Sequence, residues 1–485
     1  MKVLLVQPPN FHGDKDREAQ RFPLGLAYVA AVLKEKGHEV EIFDAWVNHY
    51  SKEETLSKLK DIEYDIMGIT AMSPHFKYME WFIKEVKGMH PERKILIGGA
   101  LAKYNYKQVL ETMDVDFCVL GWGEYVMPKL LENLEDPSEV ESMAYLKDGK
   151  VFVTKSISEI HKIDEVPFPA WDLFDVEKYI GATRLGIANS SRRMCVITTR
   201  GCPFNCHFCS KNFPVVNMRS VDNVIEEIKI LKDKYKVEVI DFEDELVMMS
   251  RKRMLELCEK IKPLKIRWKC NGRVNHVDFE VLKAMKASGC YYVAYGIESG
   301  SQTILDSINK ESTVELNERA LRLTVKAGLI PGVLMMIGNP KETRETVRET
   351  INFCKRLHVQ PVTQFFISTP LPGSEFYRMC VEDGRITDEV EYLRNLTGTY
   401  EILINLSDMS DDELLVVKRE AEEEINKAYC AYRRTNPKLF LKEYTHKAKV
   451  LYHHAKGYGI KKAAKDVIKI IKKNPRLIFR AEYTE

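Results

Sequence analysis

The chain is predicted to be α/β in two successive modules, a doubly wound parallel sheet followed by a six-stranded partial barrel, with a helical, basic end. Three observations predict this. Over residues 1–140, short apolar runs alternate with amphipathic stretches at a regular interval. The same alternation restarts near residue 191, after a proline-rich stretch. From residue 431 the composition turns to lysine and arginine. The boundaries read as a first module at 1–140, a connection at 141–190, a barrel at 191–380 and a helical region at 381–485.

Bulk properties narrow the class. The 485 residues are 45% hydrophobic and 30% charged, which argues against disorder or a fibrous protein. A formal net charge of +2 implies no overall field for nucleic acid. The opening run Met1–Val6 is too short for a signal peptide, and no stretch is long enough to span a bilayer, so the chain is expected to be cytoplasmic. In a reducing compartment its 11 cysteines should be thiols or ligands. Cys118, Cys195, Cys258, Cys270, Cys290, Cys354, Cys380 and Cys430 are scattered and read as core fillers or isolated thiols.

In the first module, the apolar run after Lys2 suits a strand covered on both faces. Pro23 then opens a helix with the stripe Leu26, Val29, Ala30 and Leu33, and Gly37 closes it. Strand-like runs recur at 39–43, 65–70, 94–98 and 116–120, separated by helical stretches such as 52–60 and 78–89. Five parallel strands of this kind bind ligands at their carboxyl ends. Those ends run into Gln7-Pro8-Pro9-Asn10, Ala71-Met72-Ser73-Pro74-His75, Gly98-Gly99-Ala100 and Gly121-Trp122-Gly123-Glu124. The glycines would allow a ligand to approach the backbone. The dinucleotide fingerprint is missing from the first turn, which counts against NAD. The connection holds a hairpin over 144–153 with an Asp148-Gly149 turn, then a stiff crossing over 166–172.

The barrel strands are expected at 194–198, 238–242, 266–270, 291–295, 333–337 and 363–367, with the site at their carboxyl ends. The first strand runs into Thr198–Ser210, which carries Cys202, Cys206 and Cys209 as Cys-x-x-x-Cys-x-x-Cys. Thiolates ligate iron–sulfur clusters, and a cubane takes four. Three on one loop leave one iron open to a small chelating molecule. Rival readings are a zinc site completed by His207 and a structural trio of thiols. Other strand ends are polar. Strand two ends Glu243-Asp244-Glu245, and strand three ends Asn271-Gly272-Arg273. Strand four ends Gly296-Ile297-Glu298-Ser299-Gly300. Strand five ends Gly338-Asn339-Pro340, and strand six ends in Ser368–Ser374.

The sequence Arg200-Gly-Cys-Pro-Phe-Asn-Cys206 after a strand resembles the radical S-adenosylmethionine (SAM) superfamily. With Pro8-Pro9, Phe22–Tyr28, Gly98-Gly99 and Gly121–Glu124 upstream, the chain resembles the cobalamin-dependent branch of that superfamily. The resemblance covers residues 1 to about 400. It implies a Rossmann-like cobalamin-binding domain followed by a partial (β/α)6 radical SAM barrel. It implies a 4Fe-4S cluster on Cys202, Cys206 and Cys209, with SAM held near Phe208, Glu243, Asp244, Arg273, Glu298, Ser299 and Gly338. Asp244 is the first choice for the SAM amine, and Glu298 suits the ribose diol. Cobalamin would lie against Pro8, Asn10, Leu24, Gly25, Ser73, Gly98, Gly99, Gly121, Gly123 and Glu124. The Asp-x-His-x-x-Gly motif is absent and His12 does not replace it, so cobalt is expected without a protein histidine.

The reaction this implies is methylation of an unactivated carbon. One SAM methylates cob(I)alamin, and a second is cleaved to a 5′-deoxyadenosyl radical that removes a substrate hydrogen. The carbon radical then takes the methyl from methylcobalamin. An external electron donor is required. A ring-forming enzyme of the anaerobic porphyrin-cyclase type and a non-catalytic corrinoid and cluster sensor are the rivals. The substrate class is open among a peptide or protein side chain, a lipid and a small metabolite. The region 410–428 reads as a helix with an acidic start. Residues 431–480 carry fifteen Lys and Arg against Glu443 and Asp466, which suits a membrane surface, an acidic partner, an anionic substrate or a solvated helical lid. Nothing resembles a nucleic-acid-binding module.

Overall fold

A computed structural model describes residues 1–9, 21–156, 162–180, 192–211, 215–359 and 365–436. Asn10, His12 and the basic stretch past 436 lie outside them. The chain divides into two units. One holds Met1–Tyr179, Cys209–Arg219 and Pro370–Gly398; the other holds Ile180–Phe208, Ser220–Thr369 and Thr399–Glu485.

The first unit is built on strands β1 (Lys2–Gln7), β2 (Glu39–Asp44), β3 (Ile66–Thr70), β4 (Lys94–Gly98), β5 (Phe117–Val119), β6 (Met143–Lys147) and β7 (Lys150–Val153). Their order is β2-β1-β3-β4-β5-β6-β7. The first five are parallel, as the uninterrupted apolar runs of β1, β3 and β4 require for strands covered on both faces. The chain reverses direction of travel across the sheet between β1 and β3, where doubly wound sheets open a crevice. Helices α1 (Leu24–Glu35), α2 (Lys52–Leu59), α3 (Phe76–Met89), α4 (Ala100–Thr112) and α5 (Gly123–Glu132) alternate with the strands.

The hairpin that the sequence places in the connection belongs to this sheet. β6 pairs antiparallel with β5, through Cys118 and Ala144, and β7 closes the edge. Asp148 and Gly149 both take positive φ, 52° and 72°, in the turn. The proline-rich crossing that follows lies along α1. Ala170 N–H donates to Ala27 O at 3.0 Å, and Trp171, Phe174 and Tyr179 pack around Phe22.

The second unit is a six-stranded, wholly parallel sheet. Its strands are β8 (Arg193–Val196), β9 (Val239–Phe242), β10 (Arg267–Gly272), β11 (Cys290–Glu298), β12 (Ile330–Ile337) and β13 (Phe366–Ile367). Their spatial order is their chain order, the curl of a half-barrel. Helices α6 (Val221–Tyr235), α7 (Arg251–Ile261), α8 (Phe279–Ala287), α9 (Gln302–Ser307), α10 (Val314–Lys326) and α11 (Arg344–Leu357) connect them. Ser220, Ser250, Asp278, Thr313 and Thr343 cap five of these through side-chain oxygens, so each helix starts where a strand-end loop finishes.

Two short helices, α12 (Glu375–Glu382) and α13 (Glu389–Asn395), return to the first unit, where Arg394 forks onto Glu80 of α3. The last described helix, α14 (Asp411–Thr435), spans the acid-rich segment and packs on α11. Glu413 and Glu424 meet Arg344, Arg348 and Lys355 there. No helix among the described residues is long and apolar enough to cross a membrane.

At the end of β4, Gly99 has φ 82°, and a Cβ there would stand 2.6 Å from Ala71 O. Gly99→Ala should therefore destabilise the first unit by about 1–3 kcal/mol. Its denaturant midpoint, followed by a probe confined to that unit, should fall.

Candidate active site at the strand ends

All six strands of the second sheet point the same way, so their carboxyl ends share one rim. The cysteine loop leaves β8 there. Its cysteines differ from the rest. Cys202 and Cys206 are half-buried and Cys209 is exposed, whereas all the others but Cys430 are buried. Burial pushes the thiols of Cys258 and Cys354 up to about 11 and about 12, so they stay protonated core fillers. Burial also raises Cys202, with the Phe204 N–H and, more weakly, Arg273 pulling it back. Among the described residues, no group of three or more His, Cys, Asp and Glu could hold a metal ion.

The loop is held from three sides. At its start, Asp244 Oδ1 accepts from Thr198 N–H at 2.8 Å, from Thr199 N–H, and from Thr199 Oγ1 at 2.8 Å. Asp244 is 1% exposed, and burial pushes its carboxyl up against the pull of those donors. The first-choice ligand acid thus braces the loop, and only its Oδ2 is left without a partner. Glu243 beside it is half-buried and Glu245 exposed.

On a second side lies Ser307–Lys310, which follows α9. His207 N–H donates to Ile308 O at 3.0 Å, and its Nδ1 stands 3.2 Å from Ser307 O. Asn309 Nδ2 donates to Asn205 O at 2.8 Å. His207 therefore ties down the loop backbone. This clamp had no signal in the sequence, since it consists of backbone carbonyls and one amide.

Arg273, just past β10, forms the third side. Its guanidinium lies 3.5 Å over the Phe204 ring, donates to Cys206 Sγ at 3.5 Å, and also reaches Lys310 O and Asn275 Oδ1. The resemblance places Arg273 near SAM. The structure turns it onto the cysteine loop.

Glu298 ends β11 after a register shift and holds φ 61°, a costly conformation for a residue with a Cβ. Its Oε1 pairs with Lys310 Nζ at 2.8 Å, the two side chains being 8% and 9% exposed. A Cβ at Gly296 would collide with Glu298, which explains that glycine. Lys310 Nζ also lies 5.4 Å from the Phe208 ring centre, which links Glu298 to the loop.

Two further residues expected near SAM are also part of the internal packing. Ser299 is fully buried; its Oγ is 2.9 Å from Thr350 Oγ1 and accepts from Ser301 N–H at 3.1 Å. Gly338, at φ 83°, faces Leu414 of α14, and its N–H donates to Glu342. Glu342 also accepts from Asn339 N–H at 2.9 Å, and burial pushes its carboxyl up to about 7.

In the first unit, Pro8, Leu24, Ser73 and Glu124 are buried at strand ends and helix starts, and Gly25 and Gly99 are exposed. Ser73 Oγ donates to Asn105 Oδ1 at 2.8 Å. Gly98 lies at the rim. Gly99, Gly121 and Gly123 are glycines for internal reasons, because Cβ atoms there would meet Ala71, Ser142 and Val29.

Comparisons with known proteins match this division. The B12 binding domain model matches residues 17–131, and the Radical SAM superfamily model matches residues 196–354. An uncharacterized methyltransferase of Pyrococcus horikoshii is 30% identical, over 97% of this chain and 98% of its own. The anaerobic magnesium-protoporphyrin IX monomethyl ester cyclase of Rubrivivax gelatinosus is 30% identical, over 81% of this chain and 72% of its own. The solved radical S-adenosylmethionine methyltransferase TsrM of Kitasatospora setae superposes with a TM-score of 0.66 at 18% identity, covering 79% of this chain and 78% of its own.

The buried Glu298–Lys310 pair gives one prediction. Lys310→Met should cost about 3–5 kcal/mol, because it strands a buried carboxylate. Adding Glu298→Gln should recover part of that loss in a double-mutant cycle. Glu342 gives another. Its folded pKa lies above its unfolded value, so the folded state holds the extra proton. Its contribution is present below the ordinary glutamate range and is lost as pH rises towards about 7. Glu342→Gln should flatten that decline in a stability–pH profile.

Proposed function

The chain belongs to the cobalamin-dependent radical SAM family, and on that premise we propose that it methylates an unactivated carbon of its substrate. Its cofactors are those of the family: cobalamin, a 4Fe-4S cluster and SAM. The residues present fit them. Three thiols follow one another on one loop, two half-buried and one exposed, and a guanidinium reaches Cys206, whereas the remaining cysteines but Cys430 are buried. At the first sheet's crevice, Met72 is 52% exposed just past β3, and Asn105 Nδ2 is buried without a partner beside Ser73. An exposed thioether and an unmet donor suit a large ring bearing amide groups.

When bound, the cluster and SAM supply a 5′-deoxyadenosyl radical, and cobalamin supplies the methyl group. Cys202, Cys206 and Cys209 are the residues that would hold the cluster. Arg273 sets positive charge and an N–H against Cys206 Sγ. Glu243, with Asp244 Oδ2, accepts from the SAM amine. Glu298 accepts from the ribose diol, and its pairing with Lys310 aims it. Phe208 stands next to Lys310 and would lie beside the bound SAM. The hydrogen bonds from Ser307–Asn309 to Asn205 and His207 would hold the loop's shape around the cluster. An external donor supplies the electron.

The observation that carries this reading is the joining, in one chain, of the braced three-cysteine loop to a corrinoid-type sheet. The methyltransferase relative, matched along nearly its whole length, favours methyl transfer over ring closure. The test is anaerobic purification with iron, sulfide and corrinoid analysis, then incubation with SAM and reductant. Cluster, bound corrinoid, 5′-deoxyadenosine and a product heavier by one methyl group are expected. Cys206→Ala should abolish 5′-deoxyadenosine. Undiminished formation by that variant would refute the cluster assignment, and a product that loses hydrogen or gains oxygen would favour the cyclase reading.

A further inference from the structure

The first unit includes two segments distant in sequence from its sheet, residues 209–219 and 370–398. The first begins with Cys209 and its neighbours Ser210 and Lys211. Lys211 O accepts from Tyr104 O–H and from Lys103 Nζ, the latter at 3.3 Å. Ser210 Oγ donates to Pro372 O at 2.7 Å. Gly373, at φ 84°, packs so closely on the Tyr104 ring that a Cβ there would enter it. Tyr104 is therefore wedged between the exit of the cysteine loop and the turn that follows the last barrel strand.

Tyr104 and Lys103 lie on α4, the helix that starts directly after Gly98-Gly99. That start is bound to the end of β3, since Ala71 N–H donates to Gly98 O and Leu101 N–H donates to Ala71 O, both at 3.0 Å. The next residue, Asn105, breaks the helix, with φ −129° and ψ 23°. Its side chain turns to Ser73, and its own Nδ2 is buried without a partner. A kink with an unmet buried donor is a local arrangement that a ligand at the β3 and β4 ends would reshape. Tyr104 is the neighbouring residue, so any change at the kink moves the donors of Lys211 O.

We propose that α4 is a strut: cobalamin seated at the β3 and β4 ends fixes the Asn105 kink, and Lys103 and Tyr104 pass that order to Cys209 through Lys211. The proposal rests on the corrinoid reading of the first unit. Tyr104 is a positioning residue, since it reaches the thiol only through the backbone. The coupling is reciprocal, so fixing Cys209 should also strengthen corrinoid binding.

The test uses the full-length protein freed of iron and kept anaerobic. Iodoacetamide alkylation of Cys209 is timed by peptide mass spectrometry, with and without hydroxocobalamin, and corrinoid binding is read separately from its absorbance. In the wild type, cobalamin should slow alkylation of Cys209 by about fivefold or more, the scale of ordinary coupling between sites, and leave Cys430 unchanged. In the double variant Lys103→Met, Tyr104→Phe, cobalamin should still bind, with most of that protection lost. Ser210→Ala, which leaves α4 intact, should lose part of it. Equal protection in wild type and double variant would mean that the corrinoid merely shields the thiol, and would overturn the strut. So would binding with no change at Cys209. Failure of the wild type to bind cobalamin would overturn the functional reading itself, and the strut with it.

Discussion

A loop carrying three cysteines within a few residues has almost no hydrogen-bonded ladder of its own, so its shape must be imposed by its neighbours. Three groups at the rim of the second sheet answer that constraint. The carboxylate of Asp244 gathers the two amides at the loop's entrance. The carbonyls and amide of Ser307–Asn309 hold its middle. The guanidinium of Arg273 lies flat on Phe204 and reaches Cys206. Two braces come from the ends of β9 and β10 and the third from the connection after β11, and this is why the order of strands in the sheet matters to the site. A parallel sheet brings all its carboxyl ends to one side, where groups far apart in the chain can grip a single loop.

The braces share an electrostatic logic. On the proposed reading, the loop's sulfurs would carry negative charge once they hold the cluster, and nearby cations would offset it. Arg273 and Lys310 supply that charge, and Lys310 is held in place by the carboxylate of Glu298. Holding Glu298 at positive φ is a local cost. The compensation is a carboxylate aimed by a buried partner rather than free to rotate into solvent.

The first unit shows a different use of glycine from the one the loops imply. Gly99, Gly121 and Gly123 are small because Ala71, Ser142 and Val29 crowd them. The pattern is the same whether a glycine admits a ligand or a neighbouring carbonyl, so only coordinates separate the two. The hairpin Met143–Val153 is a similar case. Its turn is legible from Asp148-Gly149, but its pairing with β5 is a long-range choice made by the sheet's open edge.

By itself the sequence determined the two α/β modules, the position of nearly every strand, the cysteine loop and the polar strand ends, because apolar periodicity and turn chemistry are local properties of the chain. It also marked Glu298, whose acid is written in the strand. Tertiary structure decided what each polar group does. Asp244 became a brace, Ser299 a packing group and Arg273 a partner of Cys206; Lys310 and the Ser307–Asn309 carbonyls entered the site with no motif to announce them. The physical reason is that a side chain's role depends on which donors and acceptors surround it in space. Those are set by strand order and loop contact across tens or hundreds of residues, and no local pattern records them.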